Sequence, residues 1–202
     1  LYGDRYEPGK QNNQLATPLV VNTQEVKKPL ETVENIYAQI VTDLEQSITL
    51  LGTSSFTSKT HFVAATVMGL RARVALAMHD WANAKKYAEM AINTTSAKLM
   101  SKSDYTKGFN DASNVEWMWA FHMIPDQNIY FYAYMAYMSI NFNSSNIRGC
   151  PKCINNTLYD AIPETDIRKT LWDPTGTAFQ VPSTRYTKKP YMNRKFQVVD
   201  DA

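Results

Sequence analysis

The sequence is poor in glycine, cysteine and histidine, and each shortage excludes a class of chemistry. Seven glycines in 202 residues argue against glycine-built nucleotide loops. No GxGxxG, GxxxxGK[ST], GxSxG or HExxH pattern occurs. Two cysteines cannot build a four-ligand structural zinc site. The three histidines, His61, His79 and His122, share no ligand spacing, so no metal site or cofactor is expected. No apolar run approaches the roughly 20 residues needed to span a bilayer. Neither charge sign dominates: 21 Lys plus Arg against 19 Asp plus Glu leave a net charge of +2, which predicts no general affinity for nucleic acid or anionic lipid. The first residues, Leu1-Tyr2-Gly3-Asp4, lack a starting Met and a signal pattern. The chain stops after Asp200-Asp201-Ala202, and both ends are expected to be cut from something longer.

What is present points to a folded, mainly helical chain. Hydrophobic residues make up 44% and charged residues 20%, enough apolar surface for a core. Residues 1–31 read as an extended lead-in interrupted by Pro8, Pro18 and Pro29, with Leu19-Val20-Val21 as a short strand. From Val33 to Leu51, apolar residues recur in steps of three and four, which predicts an α-helix. Thr32 is its N-cap, Glu34 sits in the positive first turn, and Gly52 takes the left-handed position after its end. A second helix is predicted over Thr60 to His79, apolar nearly all round and therefore buried on several sides. Gly69 costs helix stability there, so close packing is its expected reason. Asp80 caps a third helix, Trp81 to about Asn93, with Ala84, Tyr87, Ala88, Ala91 and Ile92 as its buried stripe. The short join forces an antiparallel hairpin.

After Thr94 the periodicity weakens. Lys98 to Phe109 reads as loop with a turn of helix. Glu116 to Phe121 has strand-like aromatic character. Leu158–Ile162 and Thr165–Trp172 predict two short helices separated by Pro163, and Arg185-Tyr186 and Lys195-Phe196 predict short strands. Trp117, Trp119 and Trp172 are expected in the core.

Several constellations could carry chemistry. Glu116, Asp160, Glu164 and Asp166 are available for a carboxylate pair of the glycoside-hydrolase kind, although Asp166 with Arg168 reads more simply as a helix cap. Cys150-Pro151-Lys152-Cys153 has redox-motif spacing, but Ile154-Asn155-Asn156 is poor helix sequence for lowering a thiol pKa. A local disulfide between Cys150 and Cys153, or a pair of loop thiols, fits better. The run Arg185, Lys188, Lys189, Arg194, Lys195, interleaved with Tyr186 and Tyr191, resembles a nucleic-acid groove only superficially; a solvated, loop-rich surface is the simpler reading. The most informative segment is Tyr130-Phe131-Tyr132-Ala133-Tyr134-Met135-Ala136-Tyr137, leading into Asn141, Asn143 and Asn146. Flat aromatic faces suit the C–H faces of sugars, and Asn, Arg and Tyr groups suit their hydroxyls. The same residues also suit a core or an interface.

The second and third helices carry the small-and-large alternation of a tetratricopeptide-type hairpin, with Ala65, Gly69 and Ala72 at the crossing and Trp81, Tyr87, Ala88 and Ala91 opposite. An ordered series of segments then resembles the SusD/RagB family of outer-membrane nutrient-binding proteins. Tyr37-Ala38-Gln39-Ile40-Val41-Thr42-Asp43-Leu44 is similar to that family's Y-x-x-I-x-x-D-L helix, and Ala64 to Leu76 to its A-A-x-x-L-L-A-R helix. Trp81 to Ala88, Glu116 before the aromatic segment, Leu158-Tyr159-Asp160 with Asp166-Ile167-Arg168, and Arg194-Lys195-Phe196 follow in the family's order. The resemblance covers about residues 15 to 196 and implies an internal fragment of a longer protein whose lipid anchor is missing here.

The resemblance implies a mainly α fold: one SusD-like domain fragment over 1–202, with tetratricopeptide-like helices at 32–94 and a loop-rich, ligand-binding portion with a few short strands at 95–202. It implies non-catalytic binding of oligosaccharide or polysaccharide at the cell's outer membrane, surface-exposed, and delivery to a SusC-like TonB-dependent transporter. Tyr130, Tyr132, Tyr134, Tyr137, Asn141, Asn143 and Arg148 are the expected glycan contacts. A tetratricopeptide-type adaptor for a protein segment is the alternative, and predicts an open groove between helices. A hydrolase or thiol oxidoreductase comes third.

Overall fold

A computed structural model of the chain describes residues 3–24, 27–54, 58–121, 132–142, 150–177 and 189–199. Among them the architecture is mainly helical with a few short strands, as the sequence predicts. The chain divides into two compact units: Leu1–Ala97 with Met118–Ala120, and Lys98–Trp117 with Phe121–Ala202. No helix among the described residues is long and apolar enough to cross a membrane.

In the first unit, β1 (Leu15–Pro18) pairs antiparallel with β2 (Leu30–Thr32). The strand expected at Leu19–Val21 is absent: Pro18 pairs opposite Leu30 at the end of the ladder, and Val20 and Val21 lie beyond it, exposed. The lead-in is tied down more firmly than an extended arm. Asn12 is fully buried; its amide donates to the Glu7 and Lys10 carbonyls and to Glu34 Oε2 at 3.0–3.2 Å, and its oxygen accepts from the Glu7 N–H at 2.7 Å. Glu34 thus joins the lead-in to the first turn of α1 (Val33–Leu51). Thr32 caps α1 by accepting from the Asn35 N–H at 3.2 Å. Gly52 follows its end with φ +49°, a conformation that favours glycine, and donates to the Ile48 carbonyl.

Helix α2 spans Ala64–Ala77, starting four residues later than the periodicity predicts. The carbonyls that would begin it are committed elsewhere: Lys59 accepts from the Ala120 N–H at 3.0 Å and Thr60 from Trp119 Nε1 at 3.3 Å. Phe62 stacks on Trp119 with centroids 4.9 Å apart. Trp119, expected in the core, is therefore a partly exposed clamp on the chain entering α2. Two further expectations fail on α2. Leu70 and Leu76 are exposed, so the helix is not covered all round. A Cβ placed on Gly69 would meet nothing within 4 Å, so close packing does not explain that glycine.

Helix α3 is Trp81–Thr94, capped by Asp80, which accepts from the Asn83 N–H at 3.1 Å and side chain at 2.6 Å. These bonds, the side-chain one first, hold the Asp80 carboxyl below its ordinary range. Ala64 and Met68 from the start of α2 pack with Tyr87 and Ala91 from the end of α3, so the pair is the antiparallel hairpin expected. Ile48, Leu51, Ala72 and Met90 close around them. Ile92, predicted on the buried stripe, is exposed, and Met90 takes its place.

The second unit is loop-rich. It holds α4 (Lys102–Tyr105), α5 (Tyr134–Met138), α6 (Asn156–Ala161) and a 3₁₀ turn at Ile167–Leu171. Strand β3 (Trp172–Asp173) pairs antiparallel with β4 (Met192–Asn193). Ala136, Ile140, Phe142, Leu171 and Met192 are buried. The two short helices around Pro163 appear as predicted, and Asp166 caps the second by accepting from the Arg168 N–H at 2.9 Å. The segment Glu116–Phe121 forms no strand; Trp117 closes a turn onto the Asn114 carbonyl instead. The late strand lies at Met192–Asn193 rather than Lys195-Phe196, and Arg185-Tyr186 lies outside the described residues.

Candidate functional site

The second unit contains a cavity of about 410 Å³ whose described walls come from one stretch of chain, Asp104, Lys107, Phe109, Asn110, Asp111 and Ser113 among them. Local turn chemistry shapes it. Ser101 caps α4 and accepts from the Asp104 N–H, while its hydroxyl donates to Asp104 Oδ2 at 2.7 Å. Asp111 accepts from the Ser113 N–H at 2.7 Å and hydroxyl at 2.8 Å, an Asx turn. Lys107 Nζ lies 2.7 Å from Asp104 Oδ1. The Lys107 bond, followed by the Ser101 bond, pulls the Asp104 pKa down to about 2.

Phe109 supplies the aromatic wall, and its backbone is held in an unusual state. Its φ is +53°, a region that costs a bulky residue on the order of 1–3 kcal/mol. The flanking residues explain how it persists. The Gly108 carbonyl accepts from the Gln197 N–H at 3.1 Å, and Asn110 Nδ2 donates to the Gln197 carbonyl at 2.9 Å. Gly108 itself has φ +105°, and a Cβ there would lie 2.7 Å from the Gln197 Cβ. Two long-range bonds therefore clamp the turn that presents Phe109.

Behind the cavity the rings continue. Phe109 meets Tyr105 edge-on at 5.4 Å and Phe196 at 6.1 Å, and Phe196 meets Tyr134 at 5.2 Å. The Lys195 ammonium sits 4.9 Å from the Phe109 centroid and 5.2 Å from that of Phe196, a cation–π arrangement. Lys195 is thus packed on rings and does not belong to a solvated basic surface.

The structure separates the residues expected at the site. Tyr134 joins the aromatic cluster and remains exposed; Tyr132 and Tyr137 are exposed near it in the chain. Asn141 is committed to architecture: its amide donates to the Val198 carbonyl at 2.9 Å and its oxygen accepts from the Val198 N–H at 2.8 Å and the Ser139 hydroxyl at 2.7 Å. Tyr130, Asn143 and Arg148 lie outside the described residues. Of the cavity residues, Asp104 to Phe109 fall in the stretch expected as loop with a turn of helix, and Asn110 to Val115 carry no expectation. The signal in the sequence was Lys107-Gly108-Phe109-Asn110-Asp111, a glycine beside an aromatic within a polar, turn-forming run.

Glu116, Glu164 and Asp166 have structural employment. Glu116 Oε2 accepts from the Met100 N–H at 3.0 Å. Glu164 pairs with Lys169 at 2.6 Å. Arg168 grips Asp166 at 2.5–3.0 Å and draws its pKa down to about 2. Cys150 and Cys153 are both free and exposed. Lys152 to Ile154 runs beside 191–193, with the Asn193 N–H bonded to the Lys152 carbonyl and the Ile154 N–H to that of Tyr191. Partial burial raises the Cys153 thiol pKa, against a smaller opposing pull from Lys189, the opposite of what a reactive thiolate needs. Among the described residues no three His, Cys, Asp or Glu side chains gather as metal ligands.

No protein-family model matches the sequence, and no curated protein matches it. Solved structures do. The fold is similar to that of a SusD-like carbohydrate binding protein from Bacteroides vulgatus, with a TM-score of 0.73 over 92% of this chain at 24% identity. The fold is SusD-like. Two SusD superfamily proteins, from Bacteroides vulgatus and Bacteroides thetaiotaomicron, align over 98% and 88% of this chain with TM-scores of 0.61 and 0.59, at 18% and 15% identity. The chain spans only 39–43% of the length of these SusD-like structures.

Proposed function

We propose that the chain is part of a surface glycan-binding protein and that its second unit contacts the sugar without making or breaking bonds. The observation that carries this reading is the composition of the cavity: one aromatic wall, Phe109, among carboxylates, amides and a hydroxyl. Apolar sugar faces need the first and sugar hydroxyls need the second. The aromatic row from Phe109 through Phe196 to Tyr134, with Tyr132 and Tyr137 exposed in the same stretch of chain, extends the surface available to an oligosaccharide. The likeness to a structure described as a SusD-like carbohydrate binding protein supports the reading.

The longer protein would sit at the outer membrane, lipid-anchored, and pass its ligand to a SusC-like TonB-dependent transporter. The helical hairpin is suited to docking, because Leu70, Leu76, Trp81 and Ile92 remain exposed on rigid helices. That observation equally favours the tetratricopeptide-type adaptor as a second reading.

Isothermal titration with a panel of oligosaccharides tests the glycan reading. At least one should bind, and the Tyr132→Ala/Tyr134→Ala variant, folded by circular dichroism, should bind it at least about tenfold more weakly. Absence of binding to every sugar, with binding to a protein segment instead, would favour the adaptor.

A further inference from the structure

We infer that Tyr159 and Tyr191 form a second aromatic contact for the glycan, and that the ligand is an oligosaccharide long enough to touch both this pair and the Phe109 wall. This rests on the glycan-binding reading and adds the length of the ligand to it. Among the described residues, Phe109 and Tyr191 are the two phenylalanine or tyrosine residues at positive φ, +53° and +66°. Glycine or asparagine would make such a turn at lower cost, so the turn itself does not account for the ring. The backbone of Tyr191 is held from two sides: its N–H donates to the Asp173 carbonyl at 2.5 Å, and its carbonyl accepts from the Ile154 N–H at 3.0 Å. Just before it, the Lys189 carbonyl packs on Gly176, where a Cβ would come within 2.6 Å of the carbonyl oxygen. Just after it, the Asn193 N–H donates to the Lys152 carbonyl at 2.7 Å. Backbone strain held in this way by its surroundings gathers at ligand clamps.

The ring that this turn presents meets Tyr159 of α6 at 5.2 Å, tilted by 60°. Tyr159 is fixed in its turn. The Lys169 ammonium lies 4.9 Å from its centroid and is itself held by the Ile162 carbonyl at 2.9 Å and Glu164 at 2.6 Å. Both tyrosines are half-buried, so each keeps some surface open to solvent. A tyrosine offers an apolar face to sugar C–H groups and a hydroxyl that both donates and accepts. Rings already locked in place lose little freedom when a ligand arrives. The pair belongs to the same unit as the Phe109 cavity and is joined to it by a short stretch of chain. Tyr191 precedes Phe196 by five residues, which puts their Cα atoms no more than about 18 Å apart. The Phe196 ring in turn lies 6.1 Å from that of Phe109, centre to centre. A monosaccharide reaches one of the two contacts. A chain of several sugar rings reaches both, and linked contacts multiply one another.

Titration calorimetry with the monosaccharide, disaccharide, tetrasaccharide and hexasaccharide of a glucan, a mannan and a xylan decides the matter. In a series that binds, the hexasaccharide should bind at least about tenfold more tightly than the monosaccharide. Tyr191→Asn removes the ring and leaves a residue at ease at positive φ; it should lose most of that gain, and Tyr191→Phe, which restores a ring, should recover it. Amide shifts read the same contact on the unsubstituted chain, whatever the stability of the variants. Adding the hexasaccharide should move Asn156–Asp160 and Tyr191–Asn193 together with Lys107–Ser113. Equal affinity at every length, or silence at Asn156–Asp160 and Tyr191–Asn193 while Lys107–Ser113 respond, would overturn the inference and leave glycan binding standing. Binding of no member of any series would remove both.

Discussion

Arg71 on α2 brings Nε and Nη2 each to 3.1 Å from a single oxygen of Glu45 on α1. Tyr87 on α3 donates its hydroxyl to the same oxygen at 3.2 Å, and the Arg71 guanidinium lies 4.9 Å from the Tyr87 ring centroid. One carboxylate oxygen thus ties three helices together. Arg71 is buried, and its Nη1 has no partner, so the guanidinium depends on Glu45. Glu45→Ala should destabilise the chain by about 2–3 kcal/mol in urea unfolding, toward the low end for a broken buried pair because Glu45 itself is half exposed. Arg71→Met should cost less, since it removes the stranded charge along with the bond.

The same cluster sets an alkaline limit. Burial, then the Glu45 charge, raise the Tyr87 pKa above its ordinary value of 10.0. A folded-state pKa above the unfolded one means that the folded chain holds the proton more tightly. The stability from Tyr87 is therefore fully present below pH 10 and is lost as pH rises through the folded-state value. Tyr87→Phe should flatten the decline in thermal stability above pH 10, measured against the parent chain.

At the acid end the sign reverses. Asp104 and Asp166 are both held at about 2, below the ordinary 3.8. Their contribution is present above about pH 3.8 and disappears as pH falls toward 2. Asp104→Asn and Asp166→Asn together should reduce the slope of the melting temperature between pH 4 and 2. An unchanged slope would contradict the ion-pair geometry around Lys107 and Arg168.

Gly69 offers a clean test of the packing. It lies inside α2 with open space where a Cβ would go. Gly69→Ala should stabilise the chain by about 1 kcal/mol in chemical denaturation. Destabilisation would mean that the helix is packed closely there after all.

Parts of the fold are legible from the residues alone. Helix α1 was legible to within a residue at both ends, because Thr32, Glu34, the apolar period and Gly52 agree with one another. The hairpin of α2 and α3 was legible for the same reason. The start of α2 was not, because Trp119, more than fifty residues later, takes the Thr60 carbonyl. The strand at Leu15–Pro18 was misplaced since a run of three aliphatics reads as strand, whereas pairing with β2 decides which residues form one. The cavity had no period to betray it. Its shape depends on Gln197 clamping Gly108 and Asn110 across nearly ninety residues, and no local pattern announces such a pair. Asn141 looked like a ligand amide and proved to be a clamp on Val198, because sequence does not say where an amide's bonds go.

The cysteines give a further check. Both are free and exposed. A thiol-reactive dye should label two thiols per native chain without reductant, with Cys153 slower at pH 7 because partial burial holds its proton more firmly. Labelling of none would indicate that Cys150 and Cys153 are joined.

Sugar is proposed to meet this chain at the loop clamped by Gln197. Amide chemical-shift mapping by NMR, with a neutral oligosaccharide titrated into the labelled chain, tests it most directly. The largest perturbations are expected at Lys107–Ser113, with smaller ones in α5. Perturbations confined to α1, α2 and α3, with the loop silent, would contradict it.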